Sequence, residues 1–541
     1  MPLDHLLEKL PAATPILQAN FGLEREGLRI TPADAIAQTP HPTVFGSRSI
    51  HPYIQTDFSE AQLELITPVA TSTAQALRLL DAITDVTQRS LTKDEFIWPL
   101  SMPPRIADQE IQPAKLEDEN ESAYRRYLAD KYGTKLQAIS GIHYNFELGS
   151  DLMADLFAAS GYTDLVQFKN DLYLKLGQNF LRYRFLLTYL YGASPIAEEG
   201  FYKQEIPSPV RSYRNSGLGY VNKKHIQVSY ASLEDYIQNI EDYITSQDLL
   251  VEKEFYSAIR FRGQAKNRAY LDKGITYLEF RPFDINPFDH LGITQETMDT
   301  VHLMVLALLW MDSLENVDVQ LDKAHHLSHR IALSHPLDCL PDEAMPAVQE
   351  LLHAMQTVIT HFQLGDGYQS LLERVKAAIA DPSLTFAAQL LPHIQQSSLQ
   401  DFGLTQARKE KDYAWQDYYA LKGYEKMELS TQMLLFDVIQ KGVHFEILDE
   451  ADQFLKLWHQ DHVEYVKNGN MTSKDNYVVP LAMANKTVTK KILEQAGFPV
   501  PAGAEFSQLE DALRYYPMVK DKAIVIKPKS TNFGLGIYSF L

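Results

Sequence analysis

Residues 21–30 read FGLEREGLRI, and three later stretches share their pattern: EAQLELITP (60–68), GIHYNFEL (141–148) and ITYLEFRPF (275–283). Read as strands, their side chains alternate between two faces. Glu24 and Glu26 then share one face of the first. Glu60, Gln62 and Glu64 lie opposite Leu63 and Leu65 in the second. His143, Asn145 and Glu147 lie opposite Ile142, Tyr144, Phe146 and Leu148 in the third, and Tyr277, Glu279 and Arg281 lie opposite Leu278 and Phe280 in the fourth. One such strand is most simply the edge of an antiparallel sheet with a wet side. Four together are less ordinary, because the wet sides carry carboxylates and a histidine instead of Lys, Thr and Ser. Two glutamates at i, i+2 repel each other, and a cation between them removes that cost. With Asp57, Glu64, His143 and Glu279 they form a set suited to Mg²⁺ ions bridging nucleotide phosphates, with Arg281 neutralising phosphoryl charge.

The rest of the chain sets the frame. Its 541 residues suggest two or more domains, and 45% hydrophobic with 22% charged residues suits a globular protein with a sizeable core. Fifty basic against 70 acidic residues give a net charge of -20, which argues against nucleic acid or an anionic membrane as partner. The single cysteine, Cys339, excludes an intramolecular disulfide framework and is read as a buried structural thiol. The N-terminus lacks a signal-peptide apolar core, and the longest apolar run, Leu303 to Met311, is half of what a membrane span needs. A cytoplasmic protein is expected. Apolar periodicity predicts helices at 73–91, 164–190, 232–245, 296–314, 347–362 and 405–440. The aromatic run DYAWQDYYALKGY (412–424) is read as core packing. A polar stretch, VKNGNMTSKDN (466–476), reads as a linker, and a further helix is expected at 485–497 with Gly497 past its end.

GLEREGLR, TDFSEAQLELITP, YGTKLQAISGIHYNF, GLGYVNKK and YLEFRPFDINPF resemble, in order, the motifs of bacterial glutamate–cysteine ligases and cover most of residues 20–290. The resemblance implies an α+β fold, a curved antiparallel sheet of the glutamine-synthetase-like type surrounded by helices. It implies that ATP phosphorylates the γ-carboxyl of L-glutamate and that the amine of L-cysteine attacks the acyl phosphate. It places Glu24, Glu26, Asp57, Glu64, His143 and Glu279 at metal positions, holding Mg²⁺ with Mn²⁺ as alternative. Glu279 and Arg281 become the catalytic pair, with Arg281 against phosphate. Tyr124 and Tyr220 match the tyrosines of a cysteine pocket, and Arg214 and Arg260 suit substrate carboxylates. The expected partners are glutamate, cysteine, ATP and a second copy of the chain, with neither nucleic acid nor membrane.

Residues 485–503 followed by IVIKPKSTNFGLG (524–536) resemble the opening of an ATP-grasp domain, as fused behind the ligase in bifunctional glutathione synthetases. There Lys527 would touch nucleotide phosphate, Ser530 to Gly536, with Gly534 and Gly536, would form a flap, and Lys486 or Lys490 would be the earlier lysine. The expected organisation is a ligase domain at 1–445, a connection at 446–480 and an incomplete ATP-grasp domain at 481–541, with the last strand lacking a partner. A truncated tail of this kind is expected not to add glycine unless the missing part is supplied. The alternatives are a related carboxylate–amine ligase and a nucleotide-binding regulatory protein without catalysis; the apparently complete carboxylate set speaks against the second. His325 and His329 stand at i, i+4 as zinc ligands do, but without an HExxH glutamate they read as ordinary histidines.

Overall fold

The structure, a computed structural model, describes residues 3–32, 35–204, 206–396, 398–531 and 534–540. It divides into two units, Met1–Lys426 with Leu435–Val443, and Met427–Leu434 with His444–Leu541.

In the first unit the strands are β1 (Ala19–Ile30), β2 (Ile54–Thr56), β3 (Gln62–Ile66), β4 (Phe96–Ile97), β5 (Ile142–Leu148), β6 (Ile259–Arg262) and β7 (Tyr277–Phe283). Among the described residues they form one antiparallel sheet in the order β2-β3-β1-β5-β7-β6, with β4 added at the end of β1. The register sets Glu24 opposite His143 and Glu26 opposite Glu64, and Glu279 opposite both Asn145 and Arg260. A register shift between Ile142 and Tyr144 marks a bulge in the β5–β7 pair, which bends the sheet.

The helices that matter here are α1 (Thr73–Ser90), α2 (Glu119–Tyr132), α3 (Leu165–Tyr191), α4 (Gln295–Trp310) and α5 (Val317–Ala332). Leu23, Leu63, Tyr144, Phe146, Leu278 and Phe280 make the dry face and are fully buried. Phe280 packs on Phe180 of α3 at 4.3 Å between centroids, and Phe146 on His302 of α4 at 5.7 Å. Burial lowers the His302 pKa to about 4, so the ring packs uncharged. The α3 helix starts on Asp164, whose side chain accepts from the Val166 and Gln167 amides, and it is buried nearly all round, as a central helix must be.

β1 also carries two arginines on the side away from its glutamates. Arg25 donates to the His290 carbonyl at 2.6 Å and to Glu410 at 3.4 Å. Arg29, fully buried, donates to Glu95 at 2.9 Å, to the hydroxyl and carbonyl of Thr39, each at 2.7 Å, and to the Glu60 carbonyl at 3.0 Å. Four segments distant in sequence are thus tied to the strand that bears the first acids.

Several expectations need correction. The run 405–440 is two helices, Leu399–Trp415 and Leu429–Gln440, separated by residues 416–428, where Gly423 has a φ of +79° and its missing Cβ would lie 2.8 Å from the Arg78 carbonyl oxygen. Of the aromatics read as core packing at 412–424, Tyr424 is buried, but Trp415, Tyr418 and Tyr419 are 42%, 57% and 59% exposed. Cys339 is exposed. In the second unit β8 (His444–Asp449), β9 (Phe454–His459) and β10 (His462–Lys467) form an antiparallel meander within residues read as a connection. The final strand is paired: β11 (Ile524–Ile526) and β12 (Tyr538–Phe540) are antiparallel partners. The helix Lys486–Gln495 starts on Asn485, as expected, and Gly497 follows it with φ +83°.

Removing Arg29 strands the Glu95 carboxylate in the interior. Arg29→Ala is expected to cost about 3–5 kcal/mol of stability, read as a fall in the urea midpoint of the first unit; a loss under about 1 kcal/mol would mean that water replaces the guanidinium.

Candidate active site

The wet face of the sheet gathers its acids around one imidazole. His143 Nδ1 lies 2.8 Å from Glu24 Oε2 and 3.5 Å from Glu279 Oε1, and its Nε2 lies 3.5 Å from Glu26 Oε1. A carboxylate only accepts, so the 2.8 Å contact puts a ring proton on Nδ1. Nε2 is buried and makes no hydrogen bond. Asn145 donates to the other Glu24 oxygen at 2.9 Å, and the Gly141 amide donates to Glu26 at 2.7 Å. Arg262 and Arg281 both donate to Glu279, which is fully buried.

The electrostatics are uneven along this row. Burial, together with the carboxylates of Glu24, Asp57, Glu26 and Glu279, holds Glu64 well above the usual carboxylate range. Glu26 is raised too, by burial first and by Asp57, against the pull of His143 and two arginines. Burial also works against ionisation of Glu279, but Arg281 and Arg262 prevail and hold it well below that range. Glu24 is lowered despite burial and the charge of Glu279, because His143 and Asn145 donate to it. Donor atoms of Glu24, Glu64 and His143 converge to within 4.8 Å of one another. A set of carboxylate oxygens with one imidazole beside them fits a hard divalent cation. Burial first, and then mutual repulsion, raise Glu64, and the repulsion is what such an ion would relieve.

The acids form one wall of a cavity of about 370 Å³. Asp57 and Arg281 line it beside them. Arg214 reaches it over Gly141, where a Cβ would stand 2.1 Å from the guanidinium carbon, so only glycine admits the arginine; its Nη1 donates to the Arg281 carbonyl at 2.8 Å. Arg260 is held by the carbonyls of Lys253 at 2.7 Å and Phe255 at 3.3 Å. Tyr124, on α2, lines the same cavity with Tyr220. Tyr220 meets Tyr256 edge to face at 3.9 Å and Tyr132 at 5.5 Å. The structure thus brings together all eleven residues proposed from the sequence for this half of the chain, except that Glu279 is shielded behind its two arginines. Glu60 of the second stretch departs: it lies outside β3 and pairs with Arg48 at 2.7 Å.

Sequence reading missed Arg262, Tyr256, Arg184, His325 and His329 as residues of this cavity. Arg262 was within reach of the period-two rule, standing two residues after Arg260 on β6. Tyr256 follows no period, and the α5 histidines were weighed only as a metal pair. In the second unit Lys486 Nζ donates to the Thr531 carbonyl. Lys527 and Ser530 follow β11, and Gly534 and Gly536 have φ of +74° and +72°. Lys490 lies on the helix Lys486–Gln495, with its Nζ 3.8 Å from where a Cβ of Gly503 would stand. Asn532 and Phe533 of the expected flap, and Leu541, lie outside the described residues.

Comparison with known proteins agrees with this arrangement. Residues 5–249 and 244–331 match the glutamate–cysteine ligase family model, and residues 425–478 match that of an ATP-grasp-like domain. The chain is 66% identical over 540 residues to a glutathione biosynthesis bifunctional protein of Streptococcus thermophilus, spanning 100% of this chain and 71% of that protein. It is 46% identical over 551 residues to the protein of that name in Pasteurella multocida, with 100% and 72% covered. The crystal structure of a bifunctional glutathione synthetase from Pasteurella multocida superposes with a TM-score of 0.85 at 44% identity, covering 99% of this chain and 71% of that one. That of a glutamate–cysteine ligase from Francisella tularensis, in complex with AMP, gives 0.69 at 26% identity, with 78% and 92% covered. Such ligases use ATP and a divalent metal, the ion that the acidic wall fits. The chain belongs to the glutamate–cysteine ligase family, the ATP-dependent ligases of the first step of glutathione synthesis.

Proposed function

We propose that the cavity of the first unit joins L-glutamate to L-cysteine in two half-steps. In the first, a γ-carboxylate oxygen of glutamate attacks the terminal phosphorus of ATP; the bond from that phosphorus to the bridging oxygen breaks, and ADP leaves γ-glutamyl phosphate behind. In the second, the cysteine amine, having given up a proton, attacks the γ-carbonyl carbon; the bond to the phosphate oxygen breaks, releasing phosphate and γ-glutamylcysteine. The observation that carries this reading is the convergence of Glu24, Glu64 and His143 in one cavity with Arg281 and the tyrosine wall.

Glu24, Glu64 and His143, with Glu26, Asp57 and Glu279 beside them, would hold Mg²⁺, or Mn²⁺ in its place, and the bound ions supply neutralising charge to the nucleotide phosphates. Arg281 serves the transferring phosphoryl group, since its charge is fixed by Glu279 while its other donors face the cavity. Glu279 acts by orienting Arg281 and Arg262. Arg214 and Arg260, pinned by backbone carbonyls, hold substrate carboxylates at set places. Tyr124 and Tyr220 offer cysteine a small pocket of apolar wall and hydroxyl.

In the second unit, Lys486, Lys490, Lys527, Ser530, Gly534 and Gly536 are proposed as nucleotide contacts of the ATP-grasp part. Lys486 is favoured over Lys490 as the earlier lysine, because it already reaches the loop after Lys527. A bifunctional activity that also adds glycine is the second reading, favoured by the ATP-grasp-like match at 425–478. The proposed domains are the ligase at 1–445, the connection at 446–480 and the ATP-grasp part at 481–541. The proposal extends to a cytoplasmic protein, since no helix of the described residues is long and apolar enough to cross a membrane, and to a homodimer, which light scattering tests.

Purified chain with Mg²⁺, ATP, glutamate and cysteine should form γ-glutamylcysteine by mass spectrometry. Glutathione on adding glycine would establish the second activity. Glu24→Gln and Glu279→Gln should each cut turnover by at least about 100-fold; wild-type rates in either would remove the acidic wall from the reaction. Because Glu64 is held above its usual range, Mg²⁺ binding should release a proton and tighten as pH rises. Calorimetry in buffers of different ionisation enthalpy reads that proton directly, and its loss in Glu64→Gln would assign it.

A further inference from the structure

The same cavity is also lined by residues of α3 and α5, among them Arg184, His325, Ser328 and His329. Arg184 of α3 donates from Nη2 to His325 Nδ1 at 2.9 Å, and its Nε lies 3.5 Å from the Ser328 hydroxyl. The His329 ring packs against His325 with centroids 4.2 Å apart. The loop before Tyr220 passes close, since a Cβ at Gly217 would stand 3.0 Å from His329 Nδ1. Among the described residues no carboxylate pairs with Arg184; Tyr230 is the group that favours its charge, against burial.

This grouping is wrong for a metal and right for an anion. A guanidinium only donates, so Nδ1 of His325 is its acceptor and the ring proton sits on Nε2, a second donor. Burial, and then the charge of Arg184, lower His325 to about 3 and His329 to about 4, so both rings stay neutral beside the arginine. A cation placed between the rings would face the guanidinium at contact distance. A carboxylate would meet a fork of donors and an imidazole N–H.

Arg281 is paired with Glu279, and Arg214 and Arg260 are aimed by backbone carbonyls and already assigned to substrate carboxylates above. Arg184 donates to neutral side chains. The two amino acids bring three carboxylates to the cavity: the α-carboxylate of glutamate stands at the far end of its chain from the reacting γ-carboxyl, and that of cysteine stands beside the attacking amine. We propose that Arg184, with His325 and His329, forms a carboxylate subsite that takes the α-carboxylate of one of the two amino-acid substrates. This rests on the ligase reading above. Arg184 is then a specificity residue: it sets which amino acids enter, without touching the transferring phosphoryl group.

The test is steady-state kinetics of Arg184→Met, Arg184→Lys and His329→Gln, with glutamate, cysteine and ATP varied in turn. In Arg184→Met the KM of one amino acid should rise about 10- to 100-fold, the loss of a charged hydrogen bond, with the KM of ATP and saturating kcat kept. Arg184→Lys should recover part of the loss. Substrates lacking the α-carboxylate identify the source. If the subsite serves cysteine, wild type should discriminate against cysteamine and Arg184→Met should not; if it serves glutamate, the same holds for 4-aminobutyrate. Equal penalties in wild type and variant for both truncated substrates overturn the proposal. So does a fall in kcat alone. Calorimetry of each amino acid with the full chain is independent of turnover. Binding abolished in Arg184→Met supports the subsite even where cysteine ligation fails, and binding unchanged in a folded variant overturns it while leaving the ligase reading intact.

Discussion

Repulsion among carboxylates is the constraint around which the first unit is built. β1, β3, β5 and β7 bring Glu24, Glu26, Glu64 and Glu279 onto one face, in a register that leaves them no room to avoid one another. Left alone, such a row would favour protonation or a looser sheet. The fold answers with Arg281 and Arg262 on Glu279, with His143 and Asn145 on Glu24, and with the Gly141 amide on Glu26. Glu64 receives none of these and is the one left furthest above its usual range. The unrelieved remainder of the repulsion is therefore concentrated where a divalent ion would fit. On the other side of β1, Arg25 and Arg29 bind distant segments to the strand, so the repelling row is mounted on a rigid bar.

Much of this was legible because strands write their faces plainly. Period two placed Glu24, His143, Glu279 and Arg281 on the polar sides of their strands, and the quoted motifs carried Asp57 and Tyr220 with them. What the sequence could not show is partnership across long distances. Nothing local marks Tyr256 as the neighbour of Tyr220, or Arg184 as the neighbour of His325; α3 and α5 meet only in the folded chain. The misread helix at 405–440 has a different cause. Its apolar residues continue through 416–428, where the chain has left the helix and turns at Gly423, whose positive φ sits tight against Arg78. Exposed Trp415, Tyr418 and Tyr419 show the same limit, since aromatic spacing predicts packing without saying whether a partner surface exists.

The arginines illustrate how one residue type is divided among tasks. Arg29 is purely structural, sealed from solvent and committed to acceptors of the fold. Arg281 and Arg262 are shared between an internal acid and the cavity. Arg214 and Arg260 are aimed by carbonyls, which fix direction without cancelling charge. That gradation lets an acidic protein of net charge -20 keep a cavity receptive to anionic substrates.

The sheet order has a consequence in time. β1, β3 and β5 are made early, but β7 arrives after the long excursion from Leu148 to Tyr277 and pairs directly with β5. Such non-local pairing forms late in folding. A chain emerging from the ribosome would carry Glu24, Glu26, Glu64 and His143 well before Glu279 and Arg281 dock beside them. Until then the cavity lacks the side chains that β7 brings to it. The wet face of the sheet is therefore completed last, by a strand that lies far along the chain from those it joins.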